Sequence, residues 1–291
     1  MKDKILEVYD KHYKKLLIIP FVILVLALGI IGYTYWNTGD FVNKGVSLKG
    51  GSTVTINQAV DVLELESYLK EEFPKADIAV RSLMAGGKLV GIAIDTDAQE
   101  SEEIHILTDA LEERLGLEKE DYGVEVMGSS LGRSFFTQTI IALVIAFLLM
   151  GVVVFLYFRT MAPSLAVMLA AVSDIVVTLA IFNLTGMKLG TAGVAAFLML
   201  IGYSVDTDVL LSTRVLKRKE GTVMERVLGA MKTGLTMSCT TLTAVVIALI
   251  FVKSEVIEQI MVILLIGLLV DLVMTWIQNV GILRIYLEKK K

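Results

Sequence analysis

At 291 residues, 55% of them hydrophobic, and with a mean hydropathy of +0.71, the chain is too apolar for an ordinary soluble domain and has the composition of a polytopic membrane protein. The formal charge of −4 is segregated along the chain, and three prolines with few polar low-complexity stretches argue against disorder. One cysteine, Cys239, excludes an intrachain disulfide and a thiolate metal cluster, and two histidines, His12 and His105, leave almost no room for a histidine metal site.

Residues 1–15 hold five lysines and read as a short polar N-terminus. Residues 16–36 are an apolar run of the length one spanning helix needs, with Tyr33, Tyr35 and Trp36 as its aromatic belt. No small-residue cleavage site follows it, so no cleavable signal peptide is expected. Residues 37–134 are polar. Within them, Val46–Ile56 is expected as a strand interrupted at Gly50-Gly51, Val60–Phe73 as a helix stopped by Pro74, and Ala76–Leu83 and Lys88–Asp95 as a hairpin turning at Gly86-Gly87. Ser101–Leu115 places Ile104, Leu107, Leu111 and Leu115 on one helical face, Gly116 ends it, and Tyr122–Met127 is a last strand. The order β-α-β-β-α-β is the ferredoxin-like arrangement, and about 97 residues are enough for one small core.

Five more apolar runs follow, at 135–158, 163–184, 191–213, 235–252 and 259–283, leaving 284–291 as a polar tail. The expected architecture is therefore a polytopic α-helical membrane protein of six spans with one extracytoplasmic α+β domain. With the N-terminus inside, the inner side holds sixteen Lys and Arg, and the short outer loops hold only Lys188 and Lys253. That asymmetry sets both termini in the cytoplasm of a multi-pass cell-membrane protein, with 37–134 outside. The outer segment has 19 Asp plus Glu against 9 Lys plus Arg, which excludes a nucleic-acid surface. The basic loop Arg214–Lys219 reads as a topology determinant and a contact for lipid headgroups.

Polar groups inside the spans carry the functional expectation. An Asp at the centre of a spanning helix costs roughly 2.5–3.5 kcal/mol on insertion scales, so it is kept for a partner or a task, such as binding and releasing a proton. Ser173 and Asp174 lie ~16 Å from the cytoplasmic end of span three and Asp206 lies ~10 Å from that of span four, at 1.5 Å per residue. Asp206 and Asp208 point ~200° apart on a helix, so they cannot both face one site. Asp206, grouped with Gly202 and Tyr203, is expected to face the interior as the central titrating group, and Asp208 to face another helix or a partner. Asp174 and Asp208 assist, and Lys232 stands at the entrance of span five. Asp271 near the midplane of span six, with Ser204 and Thr207, is expected to be a structural polar group. Span five, crowded with hydroxyls from Thr236 to Thr243, is expected to join spans three, four and six in a bundle with an internal acidic track, and Cys239 to be a packed, inert thiol. Span two, without charge from Thr137 to Phe158, is expected to be a lipid-facing wall.

Enzyme motifs are absent or out of context. Gly128-Ser-Ser-Leu-Gly132 matches G-x-S-x-G formally, but the only outer histidine is His105 on an acidic helix, so it reads as a connector into span two. Lys49-Gly50-Gly51-Ser52 lacks the spacing of a phosphate loop, and no H-E-x-x-H occurs. No enzyme activity and no cofactor are expected, the energy source being a proton or other ion gradient.

The segments Gly45-Val-Ser-Leu-Lys-Gly-Gly-Ser-Thr53, Val126-Met-Gly-Ser-Ser-Leu-Gly132, Ser173-Asp-Ile-Val-Val-Thr-Leu-Ala-Ile-Phe182 and Ile201-Gly-Tyr-Ser204 followed by Val209-Leu-Leu-Ser-Thr-Arg214 resemble motifs of the SecD/SecF family. The chain is most similar to the smaller, SecF-type members, in their archaeal form, and the resemblance covers nearly its whole length. It implies an accessory role in protein export, with a SecD-type partner, the Sec translocon channel, a translocating polypeptide and membrane lipid as contacts and no nucleic acid. It also implies kinship with proton-driven transporters of the resistance-nodulation-division type. The sequence departs from the bacterial SecF pattern twice. Asp206-Thr207 stands where that type has Asn-Asp, and Val205-Asp206-Thr207-Asp208 resembles instead the Val-Asp-Ala-Asn of the SecD partner. The arginine of span five is replaced by Thr233, with Lys232 beside it. The rival readings are a half-transporter of a small solute and a purely structural translocase scaffold.

Overall fold

In the computed structural model, which describes residues 9–85, 88–218, 220–252 and 254–290, six helical stretches are long and apolar enough to cross a membrane. A short turn α1 (Tyr13–Leu16) leads into α2 (Ile18–Thr38), the first span, which ends on Gly39 in the left-handed conformation. The polar segment then forms α3 (Val46–Lys49), β1 (Gly51–Ile56), α4 (Val62–Glu72), β2 (Ala79–Ala85), β3 (Lys88–Thr96), α5 (Ser101–Leu115) and β4 (Tyr122–Met127). The other spans are α6 (Ser129–Phe158), α7 (Met161–Leu184), α8 (Thr191–Lys217), α9 (Val223–Phe251) and a last long helix made of α10 (Glu255–Val273), a π-helical turn (Met274–Asn279) and α11 (Val280–Lys290).

Val46–Lys49 corrects the expectation of a strand. It is one helical turn, and Gly50, at φ +91°, bends the chain out of it into β1. A Cβ on Gly50 would stand 2.3 Å from Ser129 Cα, so only glycine lets this bend lie against the start of α6. The expected turn at Gly86-Gly87 lies outside the described residues. α4 begins two residues later than expected because Asp61 accepts from the amides of Leu63 and Glu64, an N-cap that fixes the first turn.

The four strands form one antiparallel sheet in the order β2-β3-β1-β4. Val54 of β1 opposes Ile94 of β3, and Val80 of β2 opposes the same Ile94. Alternation then puts Val54, Ile56, Ile92, Ile94 and Val80 on one face. Leu65 and Leu69 of α4 and Leu107 and Leu111 of α5 cover that face, and each such side chain adds ~1.5–3 kcal/mol by leaving water. The other face, with Thr53, Thr55, Arg81 and Asp95, has no helix of the domain on it and looks at the membrane bundle across a cavity of about 670 Å³.

In the bundle, burial divides the spans. The most apolar stretches of α7, α8 and the last helix are 56%, 56% and 50% buried, against 11%, 6% and 17% for α2, α6 and α9. From Ile141 to Leu156 the outer face of α6 is apolar and includes Leu148, Leu149, Val152 and Leu156. α9 starts a full 12 residues before its apolar run. Thr222 and Glu225 form a reciprocal capping box there, and the extra turns pack Val227 and Ala230 against Trp276 and Val280. The two ends of the chain meet, with Arg284 donating to Asp10 Oδ1 at 2.6 Å and Lys14 paired with Glu288 at 2.8 Å.

Candidate functional site

Three aspartates sit in the middle of the bundle, one on each of its buried helices: Asp174 on α7, Asp208 on α8 and Asp271 on α10. Each is 0% exposed. The sequence expectation is thus half reversed. Asp206 and Asp208 do point apart, but Asp208 faces inward and Asp206 faces out. Gly202 is exposed on the same side as Asp206, and Tyr203 is half-buried. The small residue before Asp206 marks an outer groove of α8 and not the interior. Asp271 is a full member of the cluster.

Hydroxyls contact all three carboxyls. Ser204 Oγ donates to Asp174 Oδ2. Thr275 Oγ1 stands 2.9 Å from Asp208 Oδ1 and 2.9 Å from Asp271 Oδ1. Asn279 Nδ2 donates to Asp208 Oδ1 at 2.7 Å. Ser173 Oγ accepts from Gln278 Nε2 at 3.1 Å and donates to Leu169 O. One chain of contacts runs Asp271–Thr275–Asp208–Asn279 between α8 and the last helix, and Asp174–Ser204 joins α7 to α8 beside it.

Thr275 has a single O–H, which is shared between the two carboxyl oxygens or alternates between them. A proton on either carboxyl would give both 2.9 Å contacts a donor of their own. Among the described residues no basic side chain pairs with any of the three, and Asp174 Oδ1, Asp208 Oδ2 and Asp271 Oδ2 are buried without a partner. Three buried negative charges with no counter-charge would be prohibitive in an apolar bundle, so bound protons are the chemistry this donor set accepts. No group of three or more His, Cys, Asp or Glu among the described residues is disposed to hold a metal ion.

The π-turn aligns the last helix with this cluster. Along an α-helix, residues four apart drift around the axis by about 40° per step. The wider π-turn takes that drift back between Thr275 and Asn279. Asp271, Thr275 and Asn279 then share one face, as their contacts with Asp208 require. Thr275, Gln278 and Asn279 are the site residues that sequence reasoning missed. Their signal was present: Asp271-x3-Thr275-x3-Asn279 is a row of polar residues at helical spacing in an apolar run.

The remaining candidates are dispersed. Thr207 is buried and donates to Tyr203 O at 3.2 Å. Lys232 is exposed. Span five does not join the acidic track: Thr236, Thr240 and Thr243 are exposed, Ser238 alone among its hydroxyls is buried, and it accepts from Tyr203 Oη at 3.0 Å. Cys239 is likewise exposed, which corrects the packed thiol. α9 turns its hydroxyl-rich face outward because Gly234 lies flat against Trp276 and seats the opposite face inside.

Fold and site together define a multi-pass α-helical membrane protein with a small α+β domain and a buried network of three carboxyls within its bundle. The profile described as protein export membrane protein SecD/SecF, C-terminal, matches residues 107–289. The chain belongs to the SecD/SecF family of protein-export membrane proteins. It is 39% identical over 293 residues to the protein-export membrane protein SecF of Pyrococcus furiosus, covering 100% of this chain and 97% of that one. It is 41% identical over 285 residues to the SecF of Methanothermobacter thermautotrophicus, with 96% and 94% covered. Among solved structures it resembles SecDF, a translocon-associated membrane protein from Thermus thermophilus, with a TM-score of 0.73 at 17% identity. That match covers 96% of this chain and 38% of the longer SecDF chain, so this chain spans well under half of it.

Proposed function

We propose that this protein is a non-enzymatic subunit of the Sec protein-export machinery that promotes passage of secretory polypeptides across the cytoplasmic membrane, coupled to the proton gradient through Asp208, Asp271 and Asp174. The observation that supports the coupling is Thr275 held at 2.9 Å from two buried carboxyls that no basic side chain among the described residues neutralises, an arrangement suited to taking up a proton. Loss or gain of that proton changes which hydrogen bonds tie α8 to the last helix, the kind of two-state contact a gradient can drive.

The rest of the reading has its own support. The Lys and Arg asymmetry supports an orientation with both termini in the cytoplasm and the sheet domain outside. The strand order β2-β3-β1-β4, with both helices on one face, supports a ferredoxin-like classification of that domain. A SecD-type protein is the partner. Exposed Asp206 on α8 and Lys232 on α9 are charged groups that hydrocarbon does not accommodate, and Gly202 with the exposed Thr236, Thr240 and Thr243, whose hydroxyls bond back to α9 carbonyls, offers small side chains for close approach of a partner helix. The channel and the translocating chain are the further contacts, and Asp206 and Lys232 are assigned to the interface with the partner.

The test is export of a secretory precursor in cells whose only copy carries Asp208→Asn or Asp271→Asn, with assembly with the partner checked in parallel. Normal assembly with lost gradient-dependent export is expected. Normal assembly with normal export in both variants would leave the scaffold reading in its place.

A further inference from the structure

One of the links between the sheet domain and the bundle is the short connection between α7 and α8, beside the packing of Gly50 on the start of α6. Leu189 N donates to Asn43 O at 2.6 Å, and Gly45 N donates to Leu189 O at 2.8 Å, so this loop runs as a parallel bridge beside the strand-like entry to the domain. Lys188 then reaches up to the bare face of the sheet, with Nζ 3.4 Å from Asp95 Oδ2. Asp95 is a fixed target. Its side chain is 3% exposed, Arg81 grips it through Nε at 2.9 Å and Nη2 at 3.1 Å, and Thr53 Oγ1 donates to it at 2.9 Å.

The same loop is held from below by one side chain of the last helix. Gln259 Nε2 donates to Lys188 O at 2.6 Å, while its Oε1 accepts from Gly190 N and Gly193 N, both at 3.0 Å. It is 6% exposed. Gly193 is glycine for a reason of space: a Cβ there would stand 2.7 Å from Gln259 Oε1 and 2.5 Å from Leu189 Cδ1. Gln259 thus locks the first turn of α8 to α10, and both helices run on without a break in regular structure to the carboxyl network. At 1.5 Å per residue, Gly193 is ~16 Å from Ser204 and Gln259 is ~18 Å from Asp271.

We propose that Lys188 and Gln259 are positioning residues of a strut that ties the sheet domain, through Asp95, to the α8–α10 pair, so that a change of hydrogen bonding at Asp208 and Asp271 is delivered to the domain as a change of tilt. This rests on the reading of the carboxyl network as the coupling site. The strut works because its links converge on one short loop. Asp95 fixes the side chain of Lys188, Gln259 fixes its carbonyl, and Asn43 and Gly45 fix its neighbour. A slide of α8 against α10 is thereby passed to the sheet through the backbone of this loop and the Lys188–Asp95 pair.

The test uses the full chain assembled with its SecD-type partner in lipid nanodiscs, with Cys239→Ser removing the native thiol. Spin labels at Leu63→Cys on α4 and Leu184→Cys at the end of α7, both exposed positions, report the distance between domain and bundle. Asp208→Asn is expected to shift that distance. Lys188→Met and Gln259→Leu are expected to broaden the distribution and abolish the shift, and Lys188→Arg to restore it. The same shift in Lys188→Met as in its parent overturns the strut, and so does no shift from Asp208→Asn while Lys188 is intact. Export by Asp208→Asn is read separately. Export lost with no movement of the labels leaves the carboxyl reading standing without the strut, and export unaffected removes the reading itself.

Discussion

Thr275 belongs to a residue type that is usually unremarkable inside a membrane helix, where a hydroxyl bonds back to a carbonyl one turn earlier. Here its hydroxyl serves two carboxyls and none of its own backbone. Thr275→Val keeps the shape and removes the link. The expected result is a protein that still assembles, weakened by about 0.6–2 kcal/mol as interhelical hydrogen bonds in membranes are, with gradient-dependent export lost. Thr275→Ser is expected to retain it. Equal export from the Val and Ser variants would remove Thr275 from the coupling path. At this scale the acids themselves were legible, since Asp174, Asp208 and Asp271 stand out in any apolar run. Which of Asp206 and Asp208 turns inward was not. The two-residue spacing dictates opposition but not direction, and Gly202 beside Asp206 imitates an interior contact while lying on the outside.

Between elements, close approach is set by single glycines. A Cβ on Gly234 would stand 2.3 Å from Cζ2 of Trp276, a ring that is 4% exposed and has nowhere to go. Gly234→Val is therefore expected to force α9 off the last helix, at a cost of about 1–3 kcal/mol as overpacking usually is. Thermal unfolding of the purified protein in detergent measures it, and an unchanged transition would mean the contact is not tight. The outward face of α9 gives a second prediction. Purified alone, the protein is expected to react with a maleimide at Cys239, and assembled with its SecD-type partner it is expected to be protected. Equal labelling in the two states would place the partner elsewhere. The helical spans and the strand pattern were readable because period and length are local properties. Gly50 turning a strand start into a helical turn, and α9 presenting its hydroxyls outward, were not, because each depends on what packs on the other side.

Over the whole molecule, acid acts on the seat of the sheet domain. Burial pushes the Asp95 carboxyl up, but the hydrogen bonds and charge of Arg81, the charge of Lys188 and the Thr53 hydroxyl outweigh it and hold the group below the usual carboxylate range. A carboxyl depressed in the folded state stabilises fully above its unfolded value near ~3.9 and loses that stabilisation as pH falls through the folded one. The domain is thus expected to stay seated from neutrality down to about pH 4 and to loosen below it, with Asp95→Asn loose already at neutral pH. Glu125 lines the same cavity and is exposed. Limited proteolysis across that pH range distinguishes the two proteins, and identical profiles would remove Asp95 as the anchor.

The carboxyl network draws on spans three, four and six, and a ribosome delivers those in order. Until the last helix arrives, Asp174 and Asp208 have only Ser204 and each other's helices, and the side that Asp271, Thr275 and Asn279 will cover is open to lipid. A nascent chain is therefore marked as unfinished by its own acids. A product truncated before the last helix keeps two carboxyls facing hydrocarbon and is the form a membrane protease would clear, whereas the first and second spans, with no acidic residue in their apolar runs, wait in lipid at little cost. The residues that join the carboxyls of the finished bundle also make its final helix the one it cannot be released without.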